Sequence, residues 1–169
     1  VHIYQDGSIG ISTGAVEMGQ GVNTRLARVA AGAFSVAPER IKIETTNTTR
    51  VANTSPTAAS TGADLNGNAM LIAADRLTGR LKVVASQLLN CAPEEVSLHE
   101  EKVLVNGEPT ELTWEKLVRE AFLMRVALSE IGHYATPVIY FDKTREKGHP
   151  FIYHAVSYTH LRAHETKAN

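Results

Sequence analysis

The sequence predicts an α+β domain in which small mixed sheets pack against helices. Three observations carry this. Apolar and polar residues alternate on both sides of Asp6-Gly7, as in a β-hairpin. Two later stretches, from Gly21 and from about Asp64, switch to helical spacing. Each of those helices is fed by a loop of small residues, T-G-A-V-E-M-G-Q-G at Thr13–Gly21 and N-T-S-P-T-A-A-S-T-G-A-D-L-N-G at Asn53–Gly67.

In chain order, Val1–Tyr4 and Ile9–Ser12 form the hairpin. Val22, Leu26, Val29, Ala33 and Phe34 then share one helix face, and Val36-Ala37-Pro38-Glu39 stops that helix, since proline cannot continue it. Ile41–Thr45 reads as a strand. The long helix runs from about Asp64 to Leu89, with Ala69, Ile72, Ala73, Leu77, Leu81, Val84 and Leu88 at core spacing, and Cys91-Ala92-Pro93 ends it. Glu95–Leu98 and Lys102–Val105 make a second alternating pair, followed by a turn at Asn106-Gly107. Thr113 is placed to cap a helix over Trp114–Leu123. Val126–Ser129 and Gly132–Ala135 read as extended, Asp142–Lys147 as a solvated loop, and Phe151–His154 as a last strand.

The 169 residues fit one domain, with a hydrophobic fraction of 43% and a charged fraction of 21% that are ordinary for a globular protein. A net charge of −1 without a basic block gives no support to a nucleic-acid partner. Apolar runs such as Met70–Ala74 are too short to span a bilayer. Cys91, the sole cysteine, excludes a disulfide framework and a cysteine-held zinc or iron–sulfur site within the chain. Cytoplasm is therefore the expected compartment, and the acceptor patterns at Asn47 and Asn53 read as coincidence. Val1-His2-Ile3-Tyr4 shows neither a start Met nor a leader and reads as a strand under way, so truncation at both ends is expected. Val156–Thr166, V-S-Y-T-H-L-R-A-H-E-T, has no period, cap or turn logic and reads as a translated transposase-type sequencing adapter. The domain is accordingly expected over residues 1–155, with 156–169 outside it.

Small residues before a helix expose backbone N–H groups and let an anionic ligand approach the main chain, at the end where the helix dipole favours negative charge. Taken singly, each loop reads first as an ordinary strand-to-helix connection, with Gly19 and Gly21 serving positive φ or with Thr57 or Ser60 as N-cap. Glu17 reads as a structural residue at the start of the helix. Taken together, two such loops suggest a large cofactor clamped between helix N-termini.

E-M-G-Q-G-V-N-T at Glu17–Thr24, N-T-S-P-T-A-A-S at Asn53–Ser60, A-D-L-N-G at Ala63–Gly67 and G-H-Y-A-T-P at Gly132–Pro137 resemble the molybdenum-cofactor-binding subunit or domain of the xanthine dehydrogenase family, over essentially Val1–Ala155. The resemblance implies a pyranopterin dithiolene whose sulfurs hold the molybdenum. It implies that Met18, Gly19, Gln20 and Gly21 contact the cofactor from one side and Thr57, Ala58 and Ser60 from the other. The backbone of Ala59 is then near the metal, without being a side-chain ligand. It further implies oxidative hydroxylation of a purine such as hypoxanthine or xanthine, with water as oxygen source and a glutamate base. Iron–sulfur clusters and FAD on another domain or subunit, and an oligomer, come with it. No catalytic residue is assigned within the chain: the base glutamate is expected, in the family's order, beyond the point where the adapter tail begins, and the substrate-orienting residues before Val1. The 155 residues alone are expected to be inactive and to fold poorly.

His2, His99, His133, His149 and His154 share no metal-ligand spacing, Asp64 and Asn66 suit the N–H groups of a helix start, and Cys91 lacks basic neighbours. Two other readings stay open: a molybdenum hydroxylase acting on an aldehyde or another N-heterocycle, and a non-catalytic anion-binding or scaffold module.

Overall fold

A computed structural model describes residues 1–44, 46–51, 54–58 and 60–150. β1 (His2–Ile3) and β2 (Ile9–Ile11) form the expected hairpin, paired antiparallel with Ile3 opposite Ile9. Its turn is closed by Asp6, whose Oδ1 accepts from the Ser8 N–H at 2.9 Å and the Ser8 hydroxyl at 2.6 Å, and by Gly7 at φ 81°. The chain then passes through α1 (Val22–Phe34) and returns as β3 (Ile41–Ile43), which pairs parallel to β2, as a helical crossover permits. The first sheet therefore has the order β1-β2-β3.

α2 (Thr61–Leu89) is the central helix, beginning at Thr61 and so three residues ahead of the expected start. A second sheet, β4 (Val96–His99), β5 (Lys102–Val105) and β6 (Glu108–Thr113), is antiparallel throughout, and α3 (Trp114–Leu123) follows it directly. Thr113 caps α3 as expected, accepting from the Lys116 N–H at 3.4 Å. A small hairpin, β7 (Tyr140–Asp142) with β8 (Lys147–His149), ends the described chain.

One apolar core joins both sheets across α2. Ile3, Ile9, Phe34, Leu77, Leu81, Val84, Val96, Val103, Trp114 and Leu117 are buried in it. Phe34 and Trp114 meet with ring centroids 6.0 Å apart. The Trp114 indole N–H donates to the Gly7 carbonyl at 2.8 Å, tying α3 to the first hairpin. A glycine is needed at 7, because a Cβ there would lie 2.8 Å from that indole nitrogen.

Several expectations need correction. Val29 and Leu88 are exposed, and Ala69 and Ile72 are half-buried; the stripe that α2 buries runs through Met70, Ala73, Ala74, Leu77, Leu81, Val84 and Ala85. Ala73, Leu77, Leu81 and Val84 are buried as expected, and the stripe takes in Met70, Ala74 and Ala85 in place of Ala69, Ile72 and Leu88. β6 was not expected; its Pro109 and its charged residues hide the alternation, and its register against β5 shifts between Lys102 and Leu104. Residues 126–129 form no strand, only an antiparallel bridge from Ser129 to His2 and an Ile3 N–H bond to the Leu128 carbonyl at 2.8 Å. That segment is held instead by α2: Arg80 donates to the Ala127 and Ser129 carbonyls and pairs with Glu130. Residues 132–135 are not a strand either, and the expected loop 142–147 includes the ends and turn of the β7–β8 hairpin. The expected strand at Phe151–His154 and the tail 156–169 lie outside the described residues.

Candidate functional site

The two small-residue loops lie side by side. The Val16 N–H donates to the Thr57 hydroxyl at 2.9 Å. Gly62, in the first turn of α2, is buried, and a Cβ there would sit 3.4 Å from Val22 and 3.6 Å from Thr57. The starts of α1 and α2 thus form one surface, built by residues about forty positions apart in sequence.

The two starts are chemically unlike. In the first loop Gly19 and Gly21 have φ 95° and 76°, which turns their N–H groups inward. Those N–H groups are already engaged: Glu17 Oε1 accepts from Gly19 and Gly21, each at 2.9 Å, and Oε2 accepts from Asn23 at 3.0 Å. Bonds from the Asn23 and Gly21 backbone hold the Glu17 carboxyl below the usual glutamate range. Glu17 is therefore the structural residue expected at the helix start. The Gln20 amide is also used locally, with Oε1 accepting from the Met18 N–H at 2.5 Å and Nε2 donating to the Val16 carbonyl at 2.7 Å. The Met18 side chain projects outward, 68% exposed.

At the second loop Ser60 occupies the position before α2 yet makes no side-chain capping bond. Thr61 turns back on the loop, its hydroxyl donating to the Ala58 carbonyl at 2.5 Å. Thr57 is half-buried and Ala58 exposed, and Ala59 falls outside the described residues.

A cleft of about 900 Å³ opens beside this surface. Its walls include Thr13 and Gly14 from the first loop, Thr54 and Asn66 from the second motif stretch, and Gly132 and His133 from G-H-Y-A-T-P. Met18, Gly19, Gln20, Gly21, Thr57, Ala58 and Ser60 do not line it. The Thr13 hydroxyl donates to Asn66 Oδ1 at 2.8 Å, joining the loops a second time. Gly132 presses on α2 so closely that a Cβ would lie 1.8 Å from the Ala69 carbonyl oxygen. Asn66 and His133, which spacing alone left as structural, are thus walls of the cleft. Their membership of the motif stretches was the available signal.

Do these residues fit a molybdopterin? Among the described residues no three His, Cys, Asp or Glu side chains come together to hold a metal. The second loop, small-walled and without a side-chain cap from Ser60, suits an anionic cofactor approaching the main chain. The first loop offers side chains rather than unengaged glycine amides. The second loop fits such a group, whereas in the first loop Glu17 and Gln20 already engage the backbone donors.

Comparison with known proteins agrees. Residues 1–163 match the molybdopterin cofactor-binding domain family. The chain is 37% identical over 155 residues to a xanthine dehydrogenase of Drosophila pseudoobscura pseudoobscura, covering 91% of this chain and 10% of that protein. It is 36% identical over 153 residues to the xanthine dehydrogenase/oxidase of Mus musculus, covering 90% of this chain and 10% of that one. Among solved structures, quinoline 2-oxidoreductase from Pseudomonas putida 86 superposes with a TM-score of 0.64 at 27% identity, over 73% of this chain and 16% of that one. A carbon monoxide dehydrogenase from Oligotropha carboxidovorans shares the fold, with a TM-score of 0.70 at 23% identity over 80% of this chain and 18% of that one.

Fold and surface together define a cofactor-binding α+β domain of the molybdenum hydroxylase type. The chain belongs to the molybdopterin cofactor-binding domain family, and it spans about 10% of the length of the curated relatives it matches.

Proposed function

We propose that this chain contributes the molybdopterin-binding surface of a xanthine dehydrogenase-like enzyme that hydroxylates a purine. The observation that carries this is the side-by-side placement of E-M-G-Q-G and N-T-S-P-T-A-A-S at two helix starts, in a chain 37% identical to a xanthine dehydrogenase. When bound, the cofactor supplies a two-electron acceptor for hydroxylation with water as oxygen source. The chain's own residues hold and orient it: Met18, Gly19, Gln20 and Gly21 from the α1 side, and Thr57, Ala58, Ala59 and Ser60 from the α2 side, with the Ala59 backbone near the metal. No residue described is assigned the role of base. Iron–sulfur and FAD partners, oligomeric assembly, a role in purine metabolism and a cytoplasmic location belong to the same proposal. No described helix is long and apolar enough to cross a membrane.

The domain is proposed to end at residue 155. Residues 156–169 read as adapter sequence although the family match runs to residue 163, and resequencing the locus across that junction decides between them. A second reading, hydroxylation of another N-heterocycle, is favoured by the 27% identity to quinoline 2-oxidoreductase.

The test is to express the chain within its contiguous reading frame in a host that makes molybdopterin. Molybdenum and pterin are then measured, and hypoxanthine, xanthine and quinoline are assayed as substrates. Molybdenum with xanthine turnover is expected. Molybdenum with turnover of quinoline alone would establish the second reading, and absence of both metal and pterin would sink the cofactor proposal.

A further inference from the structure

The Glu17 carboxylate sits where an incoming anion would bind. Gly19 and Gly21 are glycines for their backbone angles and not for space, since a Cβ would meet nothing within 4 Å at either. Their positive φ, together with the first turn of α1, points three N–H groups at one place, and Glu17 fills it with both oxygens. The first turn of α1 holds no acidic residue, so the charge that its dipole favours comes from the loop. Gln20 closes the same loop from the other side by bridging the Val16 carbonyl and the Met18 N–H. The Met18 side chain points outward, as does that of Val16.

We propose that Glu17 is a positioning residue for the cofactor loop: an internal anion that sets the loop before the cofactor arrives and denies the Gly19 and Gly21 amides to phosphate from solution. This rests on the proposal that residues 18–21 face the cofactor. A loop already ordered loses less entropy on binding, and the charge-assisted bonds that order it are stronger than bonds to a neutral acceptor. The role has two sides. Glu17 lends the loop its shape, and it keeps inorganic anions from competing at a site that would otherwise attract them. It acts through the backbone of Gly19, Gly21 and Asn23 and needs no contact with substrate.

The test uses the chain expressed within its contiguous reading frame in a host that makes molybdopterin, labelled with nitrogen-15 at glycine and asparagine, as wild type, Glu17→Ala and Glu17→Gln. In wild type the Gly19, Gly21 and Asn23 amide signals should move together as pH falls below the ordinary glutamate range, and inorganic phosphate should leave them unmoved. Glu17→Ala should abolish that common titration and make the same amides respond to phosphate. Release of bound molybdopterin, followed by fluorescence of the oxidised pterin, should quicken about tenfold in Glu17→Ala, the factor for roughly one lost charge-assisted bond. Glu17→Gln should fall between, because its oxygen still accepts from the glycines while its amide group faces the Asn23 N–H with a donor. If Glu17→Ala does not fold, Glu17→Gln decides alone, and release at the wild-type rate overturns the role. Phosphate-dependent shifts in wild type, or separate titration of the three amides, overturn the internal anion. Wild-type protein without pterin overturns the cofactor reading and this role with it, whereas equal release from all three overturns this role alone.

Discussion

The starts of α1 and α2 lie against one another and are capped differently. Each helix begins with backbone N–H groups that its own turns cannot satisfy. At α1 they are answered from within, by the two oxygens of Glu17. At α2 the residue in the capping position, Ser60, contributes no side-chain bond. The difference teaches that richness in glycine and alanine is not by itself a measure of anion affinity. The more glycine-rich loop is the one already filled, and the loop with alanine, serine and threonine is the one whose start lacks a cap from its own residue.

The comparison can be broken most severely through the core that both helices share. Leu77 is fully buried on α2 within that core. Leu77→Ala should cost about 4 kcal/mol by removing buried methyl groups and leaving a cavity. Denaturant unfolding should show a lower midpoint, and the signals of Gly19 and Thr61 should be lost together. A separate loss would mean that the two starts are not one structural unit. Gly132→Ala should act on α2 alone. Its Cβ would fall 1.8 Å from the Ala69 carbonyl oxygen, so the helix or the 131–133 segment must move, at about 3 kcal/mol. Amide shifts should change at α2 and along the cleft, Thr13 and Gly14 included, with Gly19 and Gly21 unchanged. The smallest effect sharpens the contrast in capping. Thr113 accepts from Lys116, so Thr113→Ala should destabilise by about 1 kcal/mol, whereas Ser60→Ala should change stability by less than about 0.5 kcal/mol. Equal losses at the two positions would show that Ser60 caps after all.

Local signals made much of this legible from residues alone. Asp6-Gly7 marked its hairpin, Thr113 its helix, and the two proline-bearing segments the ends of α1 and α2, because each acts within a few residues of itself. The elements that escaped notice depend on distant partners. β6 exists because β5 offers it an edge, despite Pro109. Val29 and Leu88 carry helical spacing yet face outward, since the burial of a long helix is set by what packs on it. The site divides along the same line. The motif stretches and the role of Glu17 were readable, being contained in a few consecutive residues. The Val16–Thr57 bond and the cleft were not, since both join segments that only the fold brings together.

The chain contains one tryptophan, and Trp114 is almost fully buried where α3 meets the first hairpin, its indole bonded to Gly7. That single residue is an optical reporter supplied by the protein itself. Its emission should lie toward the blue while the hairpin is docked and move to the red when it lets go. Comparing that signal with backbone circular dichroism would reveal whether the hairpin detaches before the helices melt, with no label added.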